Sequence, residues 1–259
     1  MDRDRRVEVD DLGVATTLPG VVRRVVSLVP SLTESVAETC PEVLIAATEW
    51  CTHPTELAVE RVRGTKNPNV RRIVELAPDV VLCNQEENRR IDVERLRAAG
   101  IAVWVTDIRT VDAAFTSLTR MFTHALGRPA PAWIAEAEAV WSPPPPHSPR
   151  AAVIPIWRDP WMVVGRDTFT GDLAARLGLR LPHARASDRY PKVALEDLAR
   201  DITVAVLPDE PYVFTETDGP EAFPGIPVAL VAGRDLTWYG PSLRTARATL
   251  LAHLDRAFG

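Results

Sequence analysis

The sequence is poor in cysteine and lysine, and it lacks a long apolar segment. Cys40, Cys51 and Cys83 are odd in number and scattered, so they do not indicate a disulfide framework. Only two lysines occur, no basic stripe is present and the formal net charge is −5, which together argue against a nucleic-acid partner. No apolar run reaches the roughly 18 residues of a membrane-spanning helix, so none is predicted.

Two further absences bear on location and chemistry. The first residues, MDRDRRVEVDDLG, include no apolar segment like that of a secretory leader, so we expect a cytoplasmic location if the chain is complete. A mature protein whose leader was replaced by Met would give the same sequence. Neither a GxSxG nucleophile elbow nor a GxxxxGK[ST] phosphate loop is present, and enzymatic interpretations are therefore poorly supported.

The first half of the chain alternates strand and helix patterns. With 259 residues, 46% of them hydrophobic, the chain can bury one large core or two smaller ones. Such alternation predicts a parallel sheet with helices on both faces. The predicted strands are 24–29, 43–47, 79–83 and 101–105, and the predicted helices are 32–39, 69–76 and 88–99.

A helical connector is predicted between two α/β halves. Residues 111–126 and 130–141 have helical patterns, and Ser142 with four following prolines then favours a stiff extended segment. The second helix has about 12 residues, or about 18 Å. The strand and helix alternation then resumes, with strands at 151–156, 203–207 and 227–231 and helices near 168–177, 194–200 and 241–257. The predicted parts are an α/β lobe at 1–109, a connector at 110–149 and an α/β lobe at 150–259.

The segment Arg24–Glu34, RVVSLVPSLTE, predicts a functional strand-to-helix turn. A β-branched apolar run suits a strand buried on both faces, and Pro30 ends it. Ser31 or Thr33 is expected to cap the following helix, with Ser31 and Glu34 spaced as a capping box. In open parallel sheets, ligands bind at such turns.

Several segments resemble one known family. Three segments are similar in sequence to the substrate receptors of cobalamin and iron-siderophore importers: VSLVPSLTE, VDDLG at Val9–Gly13 and APDVVL at Ala77–Leu82. The later segments IWRDPWMVVGRDTF, LPDEPYVFTETD and TWYGP resemble the second lobe of the cobalamin branch. These receptors are the helical-backbone metal receptors of the class III periplasmic-binding-protein fold. The resemblance implies two Rossmann-like lobes with parallel sheets, a connecting helix, a ligand cleft between the lobes and no enzymatic activity.

The candidate ligand residues lie in loops that follow the predicted strands. Four of the seven tryptophans fall in these loops, which suits a large ligand with flat apolar faces and polar edges. Cobalamin is such a ligand, and Asn67, Asn84 and Gln85 can hydrogen-bond its amide rim. The plainer interpretation is that the loop tryptophans only cover the core, as Trp104, Trp133 and Trp141 are expected to do. The candidate ligand-binding residues are Ser31, Trp50, Thr65, Asn67, Asn84, Gln85, Trp157, Trp161, Tyr190, Tyr212, Trp238 and Tyr239.

His53 is the candidate metal ligand. It lies two residues from Cys51, and a neutral imidazole in a cleft loop can ligate cobalt or iron. A single Cys-x-His pair lacks the further ligands of a structural zinc site, and a histidine that caps the loop or faces solvent is the plainer interpretation.

The resemblance also implies a way of docking on a membrane permease, through one glutamate on each lobe that meets an arginine. Glu196 occupies the second-lobe position, whereas Arg71 occupies the first-lobe position. Facing arginines repel each other, so this substitution argues against docking on an importer.

The favoured hypothesis is a cytoplasmic, non-enzymatic carrier or sensor for a cobalamin-like corrinoid, with heme or a ferric siderophore as alternative ligands. Three alternatives stay open. In the first, the chain is the binding subunit of an importer without its leader. In the second, it is an enzyme that acts on a metal complex through Cys51, His53 and Glu86. In the third, it is an interaction protein that binds no small molecule.

Overall fold

The computed structural model describes residues 5–258, which divide into two compact units. The first unit takes in the described residues through Ile108, together with Ala113–Ala135 and Tyr239–Pro241. The second comprises Arg109–Asp112, Glu136–Trp238 and the described residues from Ser242 onward. Each unit holds its own parallel sheet, which confirms the predicted α/β class. The three-part division at 1–109, 110–149 and 150–259 stays a prediction.

Short strands and helices alternate along most of the described chain. The strands are β1 (Arg5–Val9), β2 (Ala15–Pro19), β3 (Val25–Ser27), β4 (Leu44–Ala47), β5 (Glu60–Arg61), β6 (Val80–Asn84), β7 (Val103–Thr106), β8 (Arg150–Val153), β9 (Pro155–Trp157), β10 (Met162–Val163), β11 (Leu179–Arg180), β12 (Val204–Pro208) and β13 (Val228–Val231). The helices are α1 (Pro30–Thr39), α2 (Val70–Leu76), α3 (Arg90–Ala98), α4 (Val111–Arg120), α5 (Ala132–Trp141), α6 (Phe169–Arg176), α7 (Leu195–Leu198), α8 (Gly233–Thr237) and α9 (Leu243–Phe258).

The first unit is built on a five-stranded sheet in the order β5-β4-β3-β6-β7, with every pair parallel. Strand β3 and its neighbours are buried because their apolar, largely β-branched residues fill the core on both faces. Val26, Val81 and Val103 are members of one core cluster. Since all five strands run the same way, the loops that follow them lie along one edge of the sheet.

The second unit repeats this plan with a four-stranded sheet in the order β11-β8-β12-β13, again all parallel. One core cluster of this unit is rich in aromatic rings. Trp161, Phe214 and Phe223 are buried together with Leu207 and Val153. The loops that follow β8 and β12 are neighbours, because those two strands are paired.

A β-hairpin of β1 and β2 precedes the first sheet and was not predicted. Its alternation is hard to see in the sequence, because Val7 and Val9 lie on the exposed face instead of the buried one. The turn is fixed by Asp10, whose side chain accepts hydrogen bonds from the backbone N–H groups of Leu12 (3.0 Å) and Val14 (2.9 Å). Asp10 is buried and forms a salt bridge with Arg97 at 2.9 Å.

Two helix predictions need correction. Helix α1 begins at Pro30, and its N-cap residue Val29 makes no side-chain capping bond, so the predicted capping box of Ser31 and Glu34 was wrong. Proline is well tolerated in the first turn because the N–H it lacks would have no partner within the helix. The helix predicted over 111–126 is present, but after α4 it continues as a π-helical turn, Met121–Ala125.

Within residues 5–258, every helix is too short or too polar to cross a lipid bilayer. The prediction that Trp104, Trp133 and Trp141 are packing residues is confirmed, since all three are buried.

Candidate functional site

Asn88 ties three strand-end loops of the first unit together. Its buried amide group donates to the carbonyl oxygens of Leu28 (3.2 Å) and Thr65 (3.1 Å). Its Oδ1 accepts a hydrogen bond from the backbone N–H of Asn84 at 2.9 Å. Leu28 and Thr65 follow β3 and β5, and Asn84 is the last residue of β6, so one side chain fixes the carboxyl-terminal edge of the sheet.

Asn84 organises the 84–88 loop from within. Its side chain is buried, donates to the hydroxyl of Thr106 (3.1 Å) and accepts from the backbone N–H groups of Glu86 (2.8 Å) and Glu87 (3.3 Å). This is an Asx turn, in which a side chain replaces a backbone acceptor. Asn84, predicted to bind ligand, thus has its polar atoms engaged in the fold, whereas the neighbouring Gln85 is exposed.

Trp50 is the most exposed aromatic residue of the first unit that lies at a strand-end loop, with 65% of its surface accessible. It lies close to Asn67, because both approach Gly64. A Cβ atom on Gly64 would lie 2.6 Å from Asn67 Oδ1 and 3.0 Å from Trp50 Nε1. Glycine at this position therefore allows the Trp50 indole and the Asn67 amide to lie next to each other. Thr65 is half-buried beside them.

Ser31 and Tyr239 are bonded to each other instead of being open to a ligand. Both are buried, and the backbone N–H of Tyr239 donates to Ser31 Oγ at 3.2 Å. The Tyr239 hydroxyl donates to Glu87 Oε1 at 2.9 Å. The two predicted ligand residues thus form part of the packing of the 239–241 segment on the first unit.

Cys51 is a structural residue. It is fully buried, it accepts a hydrogen bond from Thr33 Oγ1 (3.0 Å), and its Sγ lies 3.1 Å from Thr48 Oγ1. Burial raises the pKa of this thiol, so little of it is in the nucleophilic thiolate form near neutral pH. That weakens the case for its part in the enzyme alternative.

His53 is half-buried, and its Nδ1 lies 3.1 Å from the Thr52 hydroxyl. Within residues 5–258, no three His, Cys, Asp or Glu side chains form a cluster that could hold a metal ion. Ligation of a bound chelate by His53 alone stays a prediction.

The second unit brings Trp157 and Tyr212 together across the ends of β8 and β12. Trp157 is 45% exposed, and its ring meets that of Tyr212 edge to face, with centroids 5.7 Å apart. Tyr212 in turn packs against Phe214 (4.7 Å), and Phe214 stacks on Trp161 (5.8 Å). The aromatic ladder, as we call Trp157, Tyr212, Phe214 and Trp161, leads from the surface into the core.

An ionic network holds the outer end of the ladder. Tyr212 donates its hydroxyl to Asp218 Oδ2 at 2.7 Å, and Arg158 bonds both Asp218 and Glu221, the latter at 2.8 Å. The Tyr212 hydrogen bond, with Arg158 nearby, lowers the pKa of Asp218, which therefore stays ionised. The same bond raises the pKa of Tyr212, which keeps the phenol protonated. Tyr212 thus links the aromatic ladder to the ionic network through its hydroxyl group.

Three other predicted aromatic residues serve the fold of the second unit. Trp161 is 7% exposed and lies within the core cluster, with the Arg158 guanidinium 5.1 Å from its ring centroid. Trp238 is also buried. Tyr190 is half-buried in a segment held against Gly165, whose N–H donates to the Arg189 carbonyl at 2.8 Å.

Glu210 follows β12 and is a half-buried carboxyl group. Its Oε1 has no hydrogen-bond partner, and its backbone and Cγ lie against Gly233, where a Cβ atom would collide. Burial raises the pKa of Glu210, partly offset by a hydrogen bond from the Trp238 side chain. The folded protein therefore holds this proton more tightly than the unfolded chain does.

Replacing Glu210 by glutamine is expected to make stability less sensitive to pH. Between the ordinary pKa of 4.5 and the raised one, the folded state binds more protons than the unfolded state, so stability falls as pH rises through that window. The glutamine variant lacks this loss, and its stability relative to wild type should rise with pH and then level off. Urea unfolding at successive pH values between about 4 and 8 measures the difference. A difference that does not vary with pH would contradict the assignment.

The candidate ligand-binding residues did not include several residues that build the site: Asn88, Glu87, Arg158, Asp218 and Glu210. For Asn88 a signal was present, since two asparagines four residues apart directly follow a buried strand, a pattern typical of side chains that bond loop backbone. Arg158 and Asp218 are 60 residues apart. Only the pairing of β8 with β12 brings them together, and no local pattern indicates it.

The chain is similar in sequence to curated vitamin B12-binding proteins. No protein-family model matches it. The vitamin B12-binding protein of Pectobacterium atrosepticum is 32% identical over 114 residues, which is 43% of this chain. The match spans 41% of the length of that relative. The resemblance inferred from the sequence segments is thereby confirmed.

Solved structures with the same fold cover nearly the whole chain. The periplasmic vitamin B12-binding protein of Vibrio cholerae has a TM-score of 0.75 at 17% identity, covering 92% of this chain and 98% of that one. A periplasmic heme-binding protein of Pseudomonas aeruginosa has a TM-score of 0.73 at 21% identity, covering 90% and 92%. The chain thus has the fold of these two-lobed periplasmic binding proteins.

Proposed function

We propose that this protein is a non-enzymatic substrate-binding protein of an importer, and that its ligand is a large flat metal chelate. A cobalamin-type corrinoid is the first choice and heme is the alternative. The observation that carries the proposal is the pair of exposed indoles, Trp50 and Trp157. Trp50 follows β4 in the first unit, and Trp157 ends β9, the short strand that comes directly after β8 in the second unit. Exposed aromatic faces at such strand ends suit stacking on a macrocycle.

The polar surroundings of these indoles favour an amide-rimmed ligand. Beside Trp50 stand Asn67 and the exposed Gln85, neutral groups that can pair with amides. Beside Trp157, Arg158 is engaged with Asp218 and Glu221. That engagement leaves the guanidinium less able to bind the carboxylates of heme. The similarity to vitamin B12-binding proteins supports the same order of preference.

The importer role replaces the cytoplasmic carrier as the favoured hypothesis, because the similar proteins of known structure are named as periplasmic. The cytoplasmic location stays an untested prediction. Fractionation of cells that make the full-length gene product distinguishes it from the location outside the cytoplasm that an importer subunit needs.

Docking on a permease also stays a prediction. Arg71 is exposed on α2, with Glu75 at 3.8 Å, and Glu196 is exposed on α7. If both positions contact a permease, Glu196 meets a basic group and Arg71 needs an acidic one. The partner of this chain would then differ from an importer that offers an arginine to each lobe.

Substitution of either exposed indole is expected to weaken ligand binding. Trp50→Ala and Trp157→Ala should each cost more than about 1 kcal/mol of binding free energy, or about 5-fold in Kd, because each removes a stacking face. Quenching of tryptophan fluorescence by hydroxocobalamin, and by hemin in a parallel titration, measures the affinity. Val21→Ala is the matched control, since this exposed residue precedes the amino end of β3.

The titration also tests the proposal itself. Wild-type protein that binds neither probe at about 100 μM would refute it, since a receptor binds far below that concentration. Binding that is unchanged in both variants would mean that the indoles do not contact the ligand.

A further inference from the structure

A three-residue segment from late in the chain packs against helix α1 and the 84–88 loop of the first unit. Tyr239–Pro241 belongs with that unit, although residues of the second unit flank it on both sides. Gly240 makes the close approach possible, because a Cβ atom there would lie 3.1 Å from both the Ser31 carbonyl oxygen and Ser35 Oγ. Tyr239 is 5% exposed, so little of its ring is open to a ligand.

The buried side chain of Tyr239 is hydrogen-bonded to the 84–88 loop. Its hydroxyl donates to Glu87 Oε1 at 2.9 Å, while its backbone N–H donates to Ser31 Oγ at 3.2 Å. Glu87 belongs to the 84–88 loop, and its own N–H is bonded to Asn84 Oδ1. The loop is therefore held by Asn84 and Asn88 from within and by Tyr239 through the Glu87 side chain.

We infer that Tyr239 is a positioning residue, which keeps the 84–88 loop in the conformation that receives the ligand by bonding Glu87. This inference rests on the proposed function in so far as it concerns ligand affinity. A loop that is ordered before binding loses less conformational entropy when the ligand binds. The affinity of the protein for the ligand is correspondingly higher. The order of the loop itself is a property of the ligand-free protein and can be measured without any ligand.

Hydrogen exchange in the ligand-free protein tests the positioning role. Tyr239→Phe removes only the hydroxyl donor, and it should raise amide exchange within 85–87 by at least about 5-fold, as should Glu87→Ala. Glu87→Gln keeps an acceptor oxygen and should stay close to wild type. The double variant, Tyr239→Phe with Glu87→Ala, should match either single variant, because both remove the same bond. Unchanged exchange in Tyr239→Phe, or a uniform rise across the first unit, would overturn the inference.

Titration with hydroxocobalamin separates this inference from the proposed function. Wild-type protein that binds the probe should lose about 5- to 10-fold in affinity on Tyr239→Phe, with Glu87→Gln again near wild type. Affinity lost without a change in loop exchange would mean that Tyr239 contacts the ligand directly, which overturns the positioning role. Failure of the wild-type protein to bind hydroxocobalamin and hemin refutes the proposed function, and the exchange experiment then decides the inference by itself.

Discussion

Replacing Asn88 by alanine should destabilise the protein by about 2–4 kcal/mol, since it leaves several buried backbone groups without partners. The carbonyl oxygens of Leu28 and Thr65 and the N–H of Asn84 all depend on this one side chain. Alanine cannot replace any of the three bonds. Urea unfolding followed by far-UV circular dichroism measures the loss.

Gln85→Ala is the matched control for Asn88→Ala. It removes a similar amide from the same loop, but from an exposed position, and surface changes of this kind usually fall within about 0.5 kcal/mol. Equal stabilities for the two variants would show that Asn88 does not hold the sheet edge together. Other contacts would then have to hold the strand-end loops of the first unit together.

Trp161→Ala should destabilise the protein by about 3–5 kcal/mol. Its ring stacks on Phe214 with an interplanar angle of 4° and meets Phe223 edge to face. Removal of the ring leaves a cavity in the core cluster that these rings fill. Calorimetric or urea unfolding of the purified variant measures the loss.

Trp157→Ala provides the contrast four residues earlier. This ring is 45% exposed and contacts Tyr212 only at the outer end of the aromatic ladder, so its removal should cost about 1 kcal/mol of stability or less. Its effect is expected on ligand affinity instead. The opposite result, in which Trp157→Ala unfolds the protein and Trp161→Ala changes only ligand affinity, would contradict this assignment. Trp157 would then be the core residue and Trp161 the ligand contact.

The sheets follow from local patterns in the sequence, and the structure shows why. Strands β3, β6 and β12 are short apolar runs buried on both faces, and such runs are specified by composition alone. The strand-end loops were predicted for the same reason, because a parallel sheet collects them at one edge. The hairpin β1–β2 was not predicted, because Val7 and Val9 of β1 are exposed. A pattern of apolar residues therefore does not mark the buried face of that strand.

The sequence could not predict which side chains of the loops are buried in the fold and which are exposed. Asn84 and Gln85 are adjacent amides, yet the first is buried in an Asx turn and the second is exposed. Trp157 and Trp161 share one hairpin turn, yet only the packing of Phe214 and Phe223 decides which ring enters the core. Such choices depend on contacts between residues far apart in the chain, and a single sequence does not display them.

The distribution of exposed aromatics supports a binding protein, although several of the predicted ligand residues are buried. Ser31, Asn84 and Tyr239 are buried in the first unit, and Trp161 and Trp238 are buried in the second. Trp50 remains exposed in the first unit and Trp157 in the second. Rigid elements that present a few exposed aromatic side chains are well suited to bind a large flat ligand without further ordering.

Protection from hydrogen exchange on addition of hydroxocobalamin tests the central claim most directly, namely that the ligand binds at strand-end loops. We predict that protection appears in the first unit at 49–53, 64–67 and 84–88, and in the second unit at 157–161 and 209–218. Protection confined to the hairpin β1–β2 or to the helices, with these loops unchanged although the ligand is bound, would contradict the account.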